Sequence, residues 1–287
     1  MAIVATVLSP SAGELLFHHT VLGWHITTPE AYALCWLAGG ALGLVVAVAV
    51  LRAQDAATPR TICGVLVWTA GVWIGARWHY LIDTQGLSAS LSGLGSSPLD
   101  SGARLPLAFL CGAVAAALWC LLTRTPWRET GDALAAHAAT LEVVGRTGCL
   151  IAGCCTGRVC PAWLSATCLR YPSGSKPFLE QLAAGVVDVA SPMSAPLLPL
   201  PLYFALAAAG TLLLMAHLLR TRARPGSMLT AFAIVWPIWK IGLELLRATP
   251  RPAGLMLGIP ASVFLLAVAF ALWPPRRAVP ISYSRES

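Results

Sequence analysis

The stretch AYALCWLAGGALGLVVAVAVLR, residues 31–52, is apolar throughout and carries its one charged residue, Arg52, at its last position. An α-helix needs about 20 mostly apolar residues to cross the hydrocarbon core of a bilayer, so this stretch predicts a membrane span. The whole chain has the same character, because 57% of its 287 residues are hydrophobic and only 11% are charged. Soluble domains carry about 25% charged residues, so a large soluble domain is excluded.

Further apolar windows along the chain have the length of a span. Together with the first window they are 31–52, 61–82, 105–123, 132–153, 198–219, 227–247 and 254–273. These windows predict an all-α, polytopic membrane protein with about seven transmembrane helices, in which residues 1–287 form a single transmembrane helical domain. Two long connections, 84–104 and 156–197, are predicted to be outer loops. Residues 1–12 lack the basic segment of a cleavable signal peptide.

The basic residues predict how the helices are oriented. Of the 19 lysines and arginines, one alternate set of loops holds Arg52, Arg60, Arg124, Arg128, Arg220, Arg222, Arg224, Arg276, Arg277 and Arg285. Loops rich in arginine and lysine face the cytoplasm, so we expect the N-terminus outside and the C-terminus inside. The formal net charge of +7 is therefore mostly a consequence of topology. No basic domain remains to carry nucleic acid, and no nucleic-acid partner is predicted.

Ionisable residues also occur inside the predicted spans, toward their outer ends. They are Arg77, Glu142, Arg146, Lys240 and Glu244, with Arg247 closing the sixth window. Charges at this depth are costly and usually face the bundle interior or a water-filled cavity. Glu142 and Arg146 are four residues apart, as are Lys240 and Glu244, so each pair is expected to meet on one helix face. For any single residue a structural ion pair is the alternative, but together the charges predict a net positive, polar cavity at headgroup depth.

Several motifs resemble those of the prolipoprotein diacylglyceryl transferase family, in the same order along the chain. The stretch GRTGCLIAGCCTGR (145–158) is similar to that family's glycine-rich signature, in a subgroup with a Gly-Cys-Cys variant. Four further stretches resemble motifs of that family's other spans, namely YALCWLAGG (32–40), GARWHYL (75–81), LPLPLYFAL (198–206) and IWKIGLELLR (238–247). The resemblance extends over nearly the whole chain.

The resemblance implies a transferase of the bacterial cytoplasmic (inner) membrane. The family moves a diacylglyceryl group from phosphatidylglycerol to the lipobox cysteine of a lipoprotein precursor at the outer leaflet. By motif position, the implied phospholipid-binding residues are Arg146, Arg77, Lys240, Arg247 and Tyr32. The implied catalytic residues are Arg146, Lys240 and Glu244. Gly148 and Gly153 join the lipid site because a lipid or a helix can approach a backbone that has no side chain.

This chemistry suits the residues found in the spans. A substrate thiolate attacks the glyceryl carbon, and glycerol phosphate leaves as an anion. Cations at headgroup depth would bind the phosphodiester and stabilise the charge that develops on the leaving group. No cofactor is predicted. The expected partners are a membrane phospholipid, with phosphatidylglycerol favoured, and a lipoprotein precursor.

The chain also departs from the family's pattern, mostly at groups that transfer protons. The stretch ARLPLAFLCGA (103–113) has no histidine where the family has His-Gly-Gly. Cys149 and Cys154 replace the signature's asparagine and glutamate, and Phe204 replaces a polar side chain. Two functions therefore stay open. One is a phospholipid-dependent transferase that modifies a lipoprotein cysteine or another acceptor, and the other is a non-enzymatic lipid-binding or accessory membrane protein.

The cysteines between residues 149 and 168 have more than one interpretation. A neighbouring arginine favours the thiolate, so Cys154 is a candidate nucleophile that would form a covalent lipid intermediate. Cys160 and Cys168 lie in a predicted outer loop and are expected to form a disulfide, with each other or with Cys154 or Cys155. No C-x-x-C pair and no histidine accompany them, so no metal site is predicted. The preferred interpretation is that the cysteines mainly secure the rim of the cavity.

The predicted topology can be tested by labelling a loop expected to be cytoplasmic. In a right-side-out membrane preparation, an Arg128→Cys variant should not react with a membrane-impermeant thiol reagent, because residue 128 is predicted to lie inside. Locating the label by peptide mass separates this site from native cysteines. Labelling of residue 128 from the outside would overturn the orientation.

Overall fold

A computed structural model describes residues 19–21, 24–26, 28–85, 105–248, 258 and 260–261. Within these ranges the chain is almost entirely helical. The helices are α1 (Thr28–Ala53), α2 (Pro59–Gln85), α3 (Leu105–Thr123), α4 (Trp127–Ile151), α5 (Lys176–Ala183), α6 (Leu200–Arg220) and α7 (Ser227–Glu244). A 3-10 helix covers Ala162–Thr167. Two three-residue strands, β1 (His19–Val21) and β2 (Trp24–Ile26), pair antiparallel before α1, with His19 opposite Ile26.

The six long helices fall on the first six predicted windows. Three contain segments long and apolar enough to cross a membrane, namely Ala31–Ala53, Pro59–His79 and Leu200–Arg220. A shorter apolar segment, Leu107–Thr123, lies in α3. The all-α class is therefore confirmed, apart from the short β-hairpin. The seventh window, 254–273, and most of the loop 84–104 lie outside the described residues, so the seven-span topology and the orientation of the termini stay predictions.

Helix α4 is the central element of the bundle. Every residue from Thr130 to Glu142 is buried, and the helix packs against α1, α6 and α7. Alanines supply much of this buried surface, which lets neighbouring helices approach from several sides. The burial explains why α4 carries polar side chains, since they face protein and not lipid.

Asp132 joins the N-terminal end of α4, which is predicted to face inward, to two other elements. Its carboxylate accepts backbone N–H groups from Gly226 and Leu229, both at 2.9 Å, at the first turn of α7. It also accepts the side-chain amide of Gln54 at 2.8 Å, just beyond the end of α1. A carboxylate at a helix N-terminus satisfies unpaired N–H groups and favours the helix dipole. Asp132 therefore fixes α1, α4 and α7 relative to one another at this end.

Glycines bring α1 and α4 into close contact, and at Gly148 the predicted close approach is made by a helix. A Cβ atom on Gly145 would lie 2.4 Å from a ring carbon of Trp36, and one on Gly148 would lie 3.0 Å from the backbone oxygen of Tyr32. On the α1 side, a Cβ on Gly39 would lie 3.1 Å from the backbone oxygen of Leu141. The open faces of these glycines are thus filled by the partner helix.

The segment between α4 and α6 is ordered by turns, a disulfide and backbone pairing. Cys160 and Cys168 form a disulfide with each other, which selects one of the predicted alternatives. Within this segment, which is predicted to be a loop, the short helix α5 covers Lys176–Ala183. Ser175 caps its start by accepting the Phe178 N–H, and Gly185 with φ +67° follows its end.

The contact between α1 and α4 predicts an asymmetric response to adding a methyl group. Gly145→Ala should lower the unfolding free energy by about 1–3 kcal/mol, because the new Cβ overlaps the Trp36 ring. Gly210→Ala on α6 is the matched control, since nothing lies within 4 Å of its Cβ position. It should be neutral or stabilising by about 0.5–1 kcal/mol through helix propensity. Equal melting temperatures for the two variants in detergent would contradict this packing.

Candidate functional site

Arg146 lies near the C-terminal end of α4, which is predicted to face outward, and forms a buried ion pair with Glu142 one turn earlier. Arg146 Nη2 lies 3.2 Å from Glu142 Oε1, and the two side chains are 3% and 0% exposed. The predicted pairing of these residues is therefore confirmed. Arg146 Nε and Glu142 Oε2 have no hydrogen-bond partner among the described residues. The pair thus keeps one buried donor and one buried acceptor for another group.

Phe204, on α6, is the point where two cations from different helices meet. The guanidinium carbon of Arg146 lies 4.3 Å from the centroid of the Phe204 ring, and Lys240 Nζ from α7 lies 4.6 Å from it. Phe204 is fully buried and Lys240 is 3% exposed. Cation–π contacts strengthen when they are desolvated. The predicted convergence of Arg146 and Lys240 is thus observed, with the charges packed on an aromatic ring.

Glu244 forms its ion pair with Arg247, just past the end of α7. Arg247 Nη2 donates to Glu244 Oε2 at 3.0 Å, and Arg247 Nε donates to Glu244 Oε1. The expected i, i+4 pair of Lys240 with Glu244 is wrong, because the carboxylate meets the bidentate guanidinium. Glu244 is the last residue of α7, so the chain leaves the helix there and brings Arg247 back toward it. A guanidinium fork also matches a carboxylate better than an ammonium does.

The charges of this cluster sum to a single positive charge. Glu142 offsets Arg146 and Glu244 offsets Arg247, whereas Lys240 forms no ion pair with the described residues. Lys240 is held by the Phe204 ring. A buried cation without an anion is costly, and an anionic ligand would remove that cost. The cluster is therefore suited to one monoanionic group.

Backbone hydrogen bonds connect the three helices that carry the cluster. They lie at the rim, which we define as residues 153–158, just beyond the C-terminal end of α4. Gly157 N–H donates to Leu198 O at 3.1 Å, before α6. Arg158 N–H donates to Leu246 O at 2.9 Å, and Ala248 N–H donates to Thr156 O at 3.2 Å, after α7. The residues that follow α4 are thus paired with both neighbouring segments. This pairing fixes the outer ends of α4, α6 and α7 around Arg146.

Three cysteines gather at this rim. The sulfurs of Cys149, Cys154 and Cys155 all lie within 4.8 Å of one another. Arg146 Nη1 lies 3.9 Å from the Cys155 sulfur, and the Cys154 thiol points to the Cys149 carbonyl at 3.7 Å. The Cys155 sulfur, and not that of the predicted nucleophile Cys154, is the one that lies beside the Arg146 guanidinium.

The remaining predicted lipid-binding residues lie on α1, on α2, on the last turn of α4 and in the turn that follows α4. Tyr32, on α1, is half-buried with its ring 6.2 Å from that of Trp36, and it lies within electrostatic reach of Arg146 and of Cys149, Cys154 and Cys155. Gly153 takes φ +62°, and its open side faces Pro177 and Tyr171. Arg77 is half-buried on α2, the helix that packs mainly against α3. The roles of Tyr32, Arg77, Gly148 and Gly153 in binding lipid stay predictions.

Phe204 was not predicted to belong to the site. Its sequence signal was an aromatic residue at the place where the resembled motif has a polar one. A phenylalanine in an apolar span is ordinarily interpreted as a lipid-facing or core residue. Whether Phe204 contacts the cations depends on how α6 is rotated about its axis. That rotation becomes visible only in the structure.

A double-mutant cycle tests the contact between Phe204 and Lys240. Phe204→Leu and Lys240→Met should couple in unfolding free energy by about 1–2 kcal/mol, because either change removes the same desolvated cation–π contact. Phe109→Leu on α3 is the control, since the Phe109 ring contacts Trp68, Phe232 and Trp236. Combined with Lys240→Met it should add within about 0.5 kcal/mol. Additive behaviour of the first pair would show that the ring does not hold the lysine.

Comparison with known proteins agrees with the resemblance of the motifs. A search of curated proteins found no significant match to the chain. The sequence model of the prolipoprotein diacylglyceryl transferase family matches residues 22–274, which cover α1 to α7 and the cluster around Phe204. Because this match extends over most of the 287 residues, the chain belongs to the prolipoprotein diacylglyceryl transferase family.

Proposed function

We propose that this family member is a phospholipid-dependent transferase that takes a diacylglyceryl group from phosphatidylglycerol. The acceptor is the cysteine of a lipoprotein precursor or a chemically similar thiol. The reaction takes place at the outer leaflet of a bacterial inner membrane, in a bundle of seven spans with its N-terminus outside. The observation that carries the proposal is the pair of cations, Arg146 and Lys240, that both contact the ring of Phe204.

The charge of the cluster supports a phosphodiester as its ligand. A phosphodiester carries one negative charge, which equals the positive charge that Lys240 leaves uncompensated. Lys240 would pair with one phosphate oxygen, and Arg146 Nε, which has no partner among the described residues, would donate to another. A headgroup would reach these groups from the rim, where Cys154 and Cys155 are half-buried.

The same groups suit the transfer step. The acceptor thiolate attacks the glyceryl carbon, a sulfur–carbon bond forms, and the carbon–oxygen bond to phosphate breaks. Glycerol phosphate leaves with the electron pair of that bond. Negative charge grows on the phosphate oxygens in the transition state, where Arg146 and Lys240 are already in place to stabilise it. Glu244 acts through Arg247, which it holds in a bidentate pair at the rim.

Cys154 has a separate place in this proposal. As a nucleophile it would carry the diacylglyceryl group before the acceptor takes it, which would make the reaction a double displacement. The direct attack needs no such intermediate. A mass increase equal to one diacylglyceryl group on Cys154, seen with lipid and without acceptor, distinguishes the covalent route from the direct one.

Arg146→Gln and Lys240→Gln test the phosphate site. Each should lose most binding of phosphatidylglycerol, because each removes a charge-assisted hydrogen bond worth about 1.5–3 kcal/mol, or roughly 10- to 150-fold in affinity. The measurement is lipid binding to the purified protein in detergent, followed by transfer of radiolabelled diacylglyceryl to a lipobox peptide. Arg170→Gln is the matched control, since Arg170 is an exposed outer-loop arginine, and it should leave both unchanged.

The outcomes separate the two functions left open by the sequence. Loss of both binding and transfer in the cluster variants supports the transferase. Specific lipid binding with no transfer in the unaltered protein favours a non-enzymatic lipid-binding or accessory role. Normal lipid binding by Arg146→Gln and Lys240→Gln would contradict the phosphate site itself.

A further inference from the structure

The three cysteines at the rim form a compact group of sulfur ligands. Cys149 is buried, whereas Cys154 and Cys155 are half-buried, and all three are free thiols. Their sulfurs lie within 4.8 Å of one another. The other pair of cysteines in this segment, Cys160 and Cys168, is joined in a disulfide and does not contribute. The group is thus a set of three ligands with one open side toward the surface.

The backbone folds tightly to bring these sulfurs together. Helix α4 ends at Ile151, and Gly153 and Cys155 both have φ +62°. The left-handed region is unfavourable for a residue with a Cβ atom, and such residues cluster at functional sites. This reversal turns Cys154 and Cys155 back over Cys149, which lies on the last turn of α4. The strained position of Cys155 is what completes the sulfur group.

The spacing and chemistry of the sulfurs match a soft metal ion. A trigonal site with metal–sulfur bonds of about 2.3 Å holds its sulfurs about 4 Å apart, so only a small contraction is needed. Thiolates select soft ions such as Cu(I), whereas a structural zinc site takes four ligands. The group contains sulfur ligands alone, and none of the described His, Asp or Glu residues supplies a fourth.

A guanidinium next to the sulfur group would stabilise the negative charge of thiolates bound to a metal. Arg146 Nη1 lies 3.9 Å from the Cys155 sulfur. Three thiolates and one monovalent cation carry two net negative charges, and binding releases three protons to solvent. Arg146 and Lys240, which meet on the Phe204 ring, would partly balance that charge. A positive surrounding that would repel a bare cation thus stabilises its anionic thiolate complex.

We propose that Cys149, Cys154 and Cys155 bind one Cu(I) ion in trigonal coordination at the outer rim of the bundle. The ion ties the end of α4 to the turn that follows it. This proposal does not rest on the proposed transferase activity, since its test needs neither lipid nor acceptor, although the site shares Cys154 with the covalent route and Arg146 and Lys240 with the phosphate site.

The full chain, purified in detergent and reduced by a phosphine without oxygen, is titrated with Cu(I) against a chromophoric Cu(I) chelator. We expect one Cu(I) per chain and an ultraviolet sulfur-to-copper absorption band. Cys149→Ser, Cys154→Ser and Cys155→Ser should each weaken binding at least tenfold. Cys63→Ser, which removes an exposed thiol on α2, is the matched control and should bind as the unaltered chain does.

A second measurement needs no variant and so does not depend on how the variants fold. In the unaltered chain, one equivalent of Cu(I) should protect Cys149, Cys154 and Cys155 from alkylation, as located by peptide mass, while Cys63 stays reactive. The proposal is overturned if Cu(I) protects Cys63 from alkylation as much as the three rim cysteines, or if it does not protect the rim cysteines. Uptake of Zn(II) in preference to Cu(I), or a disulfide within the group that persists under the phosphine, overturns it as well.

Discussion

The buried charge of Arg146 is the constraint on which the outer half of the structure depends. An arginine inside an apolar span costs at least about 2.5–3.5 kcal/mol, and more on an isolated helix. Glu142, on the same helix, offsets this cost, so the ion pair does not depend on how α4 packs against its neighbours. The second contact comes from α6, through the face of Phe204. The helix that packs against α4 at the level of Arg146 must therefore present an aromatic ring, and not an aliphatic side chain, to the guanidinium.

Contacts at three places along α4 fix the position of Arg146. They lie at the start of the helix, in its second half and just beyond its end. Asp132 joins the inner end to the start of α7. In the outer half, Gly145 and Gly148 admit α1 so closely that one methyl group would overlap it. At the outer rim, Gly157 and Arg158 pair with the segments next to α6 and α7. A cation held this way needs little reorganisation when it meets an anion, which is the condition for effective electrostatic stabilisation.

The sequence was sufficient for the features that depend on one helix alone. Hydropathy located the six long helices, and spacing along α4 predicted the ion pair of Glu142 with Arg146. The same rule failed for Glu244, because that residue ends its helix and the chain beyond it supplies Arg247. Phe204 was missed because a cation–π contact depends on the rotation of α6 against two other helices. The disulfide partner of Cys160 was likewise left open, since spacing alone does not select one connectivity.

The replacement of a polar residue by Phe204 bears on which headgroup the proposed site prefers. A carboxylate at this place would pair with Lys240 and cancel the charge that the cluster retains. A phenyl ring holds the same lysine through its quadrupole and leaves the net charge at one. A zwitterionic headgroup brings an ammonium beside its phosphate, and that ammonium would meet Lys240 and Arg146 at close range. Phosphatidylglycerol has a neutral glycerol instead, so at the proposed site the cation–π arrangement would disfavour zwitterionic lipids by repulsion as well as attract anionic ones.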